Sequence, residues 1–216
     1  MSPVLLVLLL ISRKRDSTIG IWVCKPILSI AFVLCAAYNA QNWNVFQLLI
    51  VCGLFLCLVG DVLLIPKHKK MFTLGLVSFL SGHLFYVGAF LSLANVELML
   101  PENALLLTGI TIILVFVFRL LMQWLHEYLQ TMQLAVSCYM LVISSMVLAA
   151  CILALDEQVS LLARVLILGG ALAFFVSDLF VVRQRFVFQS FVNPLVGLPL
   201  YYVAQFALAI SLAYID

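Results

Sequence analysis

Residues 44–65 read NVFQLLIVCGLFLCLVGDVLLI, a run of apolar side chains interrupted by a single charge, Asp61. As a helix rising about 1.5 Å per residue it is roughly 33 Å long, enough to cross the hydrocarbon core of a bilayer. A surface helix of a soluble domain would instead show a polar face along its length. Working outward, six more runs of this kind cover about 19–40, 71–93, 103–123, 131–155, 159–182 and 193–214. An eighth apolar stretch, about 2–12, is short of a full crossing. It ends at Ser12-Arg13-Lys14-Arg15-Asp16, which reads as a stop rather than a cleavage site. The stretch is then a short first helix whose basic end snorkels to the interface. The expected fold is all-α: a polytopic transmembrane helix bundle of about eight helices, with residues 1–216 as a single integral membrane domain.

Composition supports the class. Of 216 residues, 66% are hydrophobic and 9% are charged, with a mean hydropathy of +1.26. A soluble fold could not hide that much apolar surface, and a disordered chain would carry far more charge. A net charge of +2 supplies no basic face for nucleic acid. The six cysteines (Cys24, Cys35, Cys52, Cys57, Cys138, Cys151) all fall inside apolar runs, with no Cys-x-x-Cys pair and no His cluster. They read as packing residues, and no metal site or cofactor is expected.

Charge placement orients the bundle. Counted from the N-terminus, the odd connections carry Arg13, Lys14 and Arg15, then Lys67, Lys69 and Lys70, then Arg119, then Arg183 and Arg185. The even ones carry Asn95, Glu97, Glu102, Asp156 and Glu157, with Arg164 the one basic exception. Cytoplasmic connections concentrate Lys and Arg, so the odd set faces the cytoplasm. With eight crossings both termini face away from it. Trp22, Trp43 and Trp124 read as interfacial belt residues. The brief connections favour a bacterial inner membrane over the endoplasmic reticulum.

Ionisable side chains inside spans are costly, so the few present are functional candidates. Asp61 stands five residues before Pro66, and Asp178 five before Arg183, which puts both carboxyls at a similar depth on the cytoplasmic side. The plain alternative for either is a packing hydrogen bond or an ion pair to Lys25. His83 falls near mid-membrane, with Tyr86 on the same helical face; its plain reading is an interhelical donor. Lys25-Pro26 lies at the start of the second span, where the plain reading is snorkelling. In the last span Tyr202 and Gln205 share a face with an inward polar stripe, and one of Tyr201 and Tyr202 is free to face lipid. Aligning residues 53–65 with 170–182 matches Gly53 to Gly170, Val59 to Val176 and Asp61 to Asp178, an offset of four helices. That spacing raises the expectation of a parallel 4+4 repeat.

These residues come in a recognisable order: Lys25-Pro26, Gly60-Asp61-Val62-Leu63-Leu64, the run 72–79 leading to Gly82-His83-Leu84-Phe85-Tyr86, then Gly169-Gly170 before Ser177-Asp178, then Tyr201-Tyr202-Val203-Ala204-Gln205. In this order and spacing, over about residues 20–212, the chain resembles the YhhN-like lysoplasmalogenase family. The resemblance implies a multi-pass hydrolase that cleaves the vinyl ether bond of a lysoplasmalogen. The products are a fatty aldehyde and a glycerophospho-headgroup alcohol. It implies that Asp61 and Asp178 stand at the family's two aspartates, and that Lys25, His83, Tyr202 and Gln205 stand at its other polar positions, with Tyr86 and Tyr201 beside them as substrate-binding candidates. The position before Tyr201, often Thr in that family, is Leu200 here.

The chemistry suits the residues. A vinyl ether hydrolyses by protonation of its β-carbon, which yields an oxocarbenium ion that water then captures. That needs a positioned acid and a nearby negative charge, and two carboxyls in an apolar pocket can divide those tasks. A single-chain lipid would slide its tail among the helices and leave its phosphate near Lys25, Arg183 and Arg185. The competing expectation is a small proton-coupled carrier using the same two aspartates. Such carriers have helices broken near the midplane, and Gly169-Gly170, Pro194, Gly197 and Pro199 are the places to look.

Overall fold

Side-chain caps set where several helices begin. Ser17 accepts the N–H of Gly20, Asn44 that of Gln47 at 2.9 Å and Ser160 that of Ala163 at 3.3 Å. Each is an oxygen on the residue just ahead of a helix, satisfying one of its unpaired first N–H groups. The computed structural model describes residues 3–66 and 68–215, with the backbone alone at 96–102 and 130. Its helices are α1 (Pro3–Lys14), α2 (Thr18–Asn39), α3 (Val45–Leu63), α4 (Lys69–Leu93), α5 (Val96–Leu129), α6 (Gln133–Ala154), α7 (Leu161–Val182) and α8 (Val192–Ser211). No strand occurs among the described residues.

Seven of these, α2 to α8, are long and apolar enough to cross a membrane, which makes the chain an integral multi-pass membrane protein. Helix α1 has 12 residues, hence about 18 Å, against a hydrocarbon core of roughly 30 Å. The eighth element exists, but it is too short for a crossing of its own. The fifth connection also differs from expectation. Helix α5 runs past Arg119 to Leu129, and a single 3₁₀ turn (Gln130–Met132) joins it to α6. Between Arg119 and Leu129 there is neither Gly nor Pro to stop the helix, so Arg119 lies within it rather than at a loop.

Six helices close a ring in the order α2, α3, α4, α6, α7, α8 and back to α2. Helix α1 lies outside the ring on α2 and α8. Helix α5 lies outside it against α6 and the π turn Arg183–Val187. The pairings α1–α2, α2–α3 and α3–α4 recur as α5–α6, α6–α7 and α7–α8, and α2–α8 and α4–α6 join the halves. This is the neighbour order that the fourfold helix offset anticipates. The two most extensive pairings, α3–α4 and α7–α8, approach closely where side chains are missing. A Cβ on Gly82 would stand 3.0 Å from the carbonyl oxygen of Gly53, and one on Gly170 would stand 3.3 Å from that of Ala204. Such small-residue contacts let membrane helices pack backbone to backbone.

The basic connections gather at one end. The Arg185 guanidinium lies 4.4 Å over the Phe72 ring, Phe72 meets Phe186 at 5.9 Å, and Lys14 lies 5.9 Å over Phe191. Lys67 lies outside the described residues. The opposite end is tied by Asp156, which accepts the N–H groups of Asn95 (2.8 Å) and Gln158 (3.0 Å), and by Arg164, which donates to the Ala154 carbonyl at 3.2 Å. The side chains of Glu97 and Glu102 lie outside the described residues. Trp22, Trp43 and Trp124 are exposed.

Candidate active site

Each ring helix turns polar side chains into the centre of the ring. Lys25 and Ser29 come from α2, Asp61 from α3, His83 and Tyr86 from α4. Tyr139 comes from α6, Asp178 from α7, and Tyr201, Tyr202 and Gln205 from α8. All are buried: Lys25 is 4% exposed, Asp61 2%, Asp178 6% and His83 0%. Ten polar residues in an apolar interior must find partners among themselves, and their pairing divides them into one group around each aspartate and a Tyr86–Gln205 pair.

The first group surrounds Asp61. Lys25 Nζ lies 2.8 Å from Asp61 Oδ1. Ser29 Oγ stands 2.5 Å from Oδ2, and the Tyr201 hydroxyl donates to Oδ2 at 2.6 Å. Ser29 also stands 3.0 Å from the Lys25 carbonyl, but its one proton serves one acceptor at a time, and the carboxylate is the nearer. Lys25 does a second task. Its Nζ donates to the Asp61 carbonyl at 3.0 Å. That carbonyl is in the last turn of α3, where no intrahelical N–H remains and a cation is favoured by the helix dipole. Lys25 is therefore not at a helix start with its amine in the interface. It sits seven residues into α2, turned inward, and the expected snorkel is overruled by the carboxylate and carbonyl facing it. The Tyr202 hydroxyl stands 3.4 Å from the Lys25 carbonyl. Both tyrosines are buried, so neither faces lipid.

The second group surrounds Asp178. The Tyr139 hydroxyl donates to Asp178 Oδ2 in a short hydrogen bond, and His83 Nε2 lies 3.8 Å from the same oxygen. His83 Nδ1 stands 2.6 Å from the Phe79 carbonyl oxygen. A carbonyl only accepts, so Nδ1 bears a proton, and Nε2 is the ring nitrogen turned towards Asp178. That nitrogen has no hydrogen-bond partner. Further in, the Tyr86 hydroxyl donates to Gln205 Oε1 at 2.9 Å, with Cys57 Sγ as a second acceptor at 3.6 Å, and Gln205 Nε2 is buried without a partner.

Aromatic rings separate the two groups without isolating them. Phe174 lies between His83 (4.5 Å between centroids) and Tyr201 (5.3 Å), and Phe79 packs on Tyr201 at 6.0 Å. Asp61 and Asp178 remain within electrostatic reach of each other. The eight residues singled out from the sequence thus meet at one centre.

Sequence reasoning missed Tyr139 and Ser29. Ser29 carried a signal, since it stands one helical turn after Lys25 and shares its face. Tyr139 carried little, because a tyrosine in a membrane span reads equally well as an interfacial anchor. Arg183 and Arg185, expected near a phosphate, are engaged elsewhere. Arg183 donates to Asn193 Oδ1 at 2.9 Å, and Arg185 covers Phe72. No group of three His, Cys, Asp or Glu side chains that could hold a metal ion is assembled among the described residues, and all six cysteines are free thiols.

Comparison with known proteins adds one finding: the model of the YhhN family matches residues 20–212. No curated protein and no solved structure matches.

Proposed function

The chain belongs to the YhhN family, and on that premise we propose that it is an intramembrane hydrolase of the vinyl ether bond of lysoplasmalogens. The products are a fatty aldehyde and the glycerophospho-headgroup alcohol. The observation that carries this reading is the unequal provision for two buried carboxyls in one ring of helices. Asp61 faces a cation and two hydroxyls, whereas Asp178 is bonded to one hydroxyl, with a histidine nitrogen 3.8 Å away.

The roles follow from counting protons. Three donors, one of them cationic, hold Asp61 as a carboxylate. Asp178 has one hydroxyl donor and no cation bonded to it, and His83 Nε2 lies 3.8 Å away, beyond hydrogen-bond reach. Lacking a cation in an apolar interior, Asp178 carries a proton as a carboxylic acid in this reading, and it acts as the general acid. It gives its proton to the β-carbon of the vinyl ether, and the C=C pair of electrons forms the new C–H bond. The α-carbon and ether oxygen become an oxocarbenium ion, stabilised by the Asp61 carboxylate. Water adds to the α-carbon and returns a proton to Asp178, which leaves a hemiacetal. Its C–O bond to the glycerol breaks as the hydroxyl proton passes to the leaving oxygen, giving aldehyde and alcohol. Tyr139 keeps Asp178 oriented, and His83, held by Phe79, lies beside it. In this reading Tyr86, Tyr201, Tyr202 and Gln205 bind the substrate, and the unpartnered Gln205 amide is the donor free to reach it.

The carrier reading keeps the same two aspartates but loses one support: α7 is continuous through Gly169-Gly170 and α8 through Pro194, Gly197 and Pro199, where broken helices were to be looked for. We place the enzyme in a bacterial inner membrane, with its basic end cytoplasmic. The test is purified protein in detergent with a lysoplasmalogen. Free aldehyde is expected without any gradient across a membrane, and none at all would overturn the hydrolase.

A further inference from the structure

Arg13 stands at the end of α1 with its Nε buried and without a hydrogen-bond partner. Helix α1 packs on α2 and α8, the helices that supply Lys25 and Tyr202. The guanidinium is within electrostatic reach of Tyr202, of Asp61 and of Asp16 in the turn that follows. The other described cations at this end are committed or turned outward. Lys25 is paired with Asp61, Arg183 with Asn193, and Arg185 lies on Phe72. Lys14 lies over Phe191, and Arg15, Lys69 and Lys70 are exposed. The three cations that the sequence offered to a phosphate are thus all engaged elsewhere. Arg13 combines an inward position, a donor without an acceptor and proximity to the Asp61 group.

We propose that Arg13 is the headgroup anchor of the site. Its guanidinium binds the phosphate of a single-chain phospholipid at the basic end of the ring, beside α2 and α8. A planar guanidinium matches phosphate oxygens with paired N–H donors, which a lysine amine cannot do. A phosphate held there stands at the interface, while the chain attached to it runs into the ring toward Asp61 and Asp178. Arg13 precedes the matched region 20–212, so the anchor comes from this chain's own first helix.

The substrate class rests on the hydrolase reading, but the test does not need turnover. Binding to the full-length protein in detergent is measured for 1-alkylglycerophosphocholine, whose saturated ether is not cleaved by this route, and for 1-alkylglycerol, which lacks the phosphate. Arg13→Gln should weaken the phospholipid by at least about tenfold, the lower end for a charge-assisted hydrogen bond, and leave 1-alkylglycerol unchanged. Arg13→Lys should recover part of the loss. Unchanged phospholipid binding in Arg13→Gln, or equal weakening of both ligands, would overturn the anchor. Inorganic phosphate binding to the wild type as tightly as the phospholipid would overturn it in favour of a free-anion site. A wild type that binds with this pattern but releases no aldehyde would remove the hydrolase and leave the anchor standing.

Discussion

In the α3–α4 pair, Asp61 follows Gly60, whose missing side chain admits the ring of Phe79 against the helix. In the α7–α8 pair, Asp178 follows Ser177, whose hydroxyl donates to the Gly197 carbonyl at 2.9 Å. The two pairs solve the same packing problem at corresponding positions, and both set a carboxyl near the basic end of the bundle. What differs is charge. Asp61 has Lys25, which also caps the end of α3, while Asp178 is bonded only to the Tyr139 hydroxyl. Close packing alone would not separate the two carboxyls into an anion and an acid. In the proposed mechanism the cation on α2 makes that division, and the equivalent face of α6 offers Tyr139 in its place.

The largest expected effect comes from removing the acid. In Asp178→Asn the side-chain carbonyl still accepts from Tyr139, so the fold is kept. Aldehyde release should fall by about 10²–10⁴-fold, the range for a positioned general acid. Activity within a few-fold of wild type would end the division of labour. Next is Lys25→Met, which strands the Asp61 carboxylate and leaves the α3 carbonyl unmet. Loss of one partner of a buried pair costs about 3–5 kcal/mol. Unfolding in detergent should show that loss. The double variant Lys25→Met with Asp61→Asn should regain most of the stability and none of the activity. Recovery of activity in the double variant would show that Asp61 serves packing alone.

A smaller contrast sharpens the same point. Tyr139→Phe removes the one hydroxyl bonded to Asp178, whereas Tyr201→Phe leaves Asp61 with Lys25 and Ser29. A membrane-interior hydrogen bond is worth about 1 kcal/mol, so Tyr139→Phe should lower turnover by roughly fivefold and Tyr201→Phe by less. The reverse order, read from aldehyde release, would mean that Asp61 is the more weakly supported carboxyl.

Hydropathy made the fold legible because a long apolar helix has few alternatives to crossing a bilayer. The scarcity of charge then picked out Asp61, His83 and Asp178, since a buried ionisable group in a span needs a reason. The ring order was not legible. Lipid-facing and bundle-facing positions are both apolar, so the sequence of α5 looks much like that of α6, although α5 lies outside the ring and α6 within it. For the same reason the sequence named Lys25 but not its direction. Whether that amine snorkels or turns inward depends on Asp61 and the end of α3 facing it, which is a tertiary fact.

The glycines give the finest comparison of the two pairs, because matched substitutions meet different surroundings. On α4, a Cβ at Gly82 would stand 3.0 Å from both Cys57 Sγ and the Gly53 carbonyl, closer than atoms at ordinary contact. Backbone cannot yield as a side-chain end does, so Gly82→Ala forces α3 and α4 apart. It should cost about 1 kcal/mol or more, the usual penalty for overpacking. On α7, nothing lies within 4 Å of a Cβ at Gly169. There the same change adds a better helix former to a helix interior, and stability should rise by about 0.5–1 kcal/mol. Detergent unfolding of the two variants side by side reads the difference directly. Two equal shifts would mean that the α3–α4 contact has slack to give. A loss confined to Gly82→Ala ties the placement of His83, the very next residue, to the closeness of that contact.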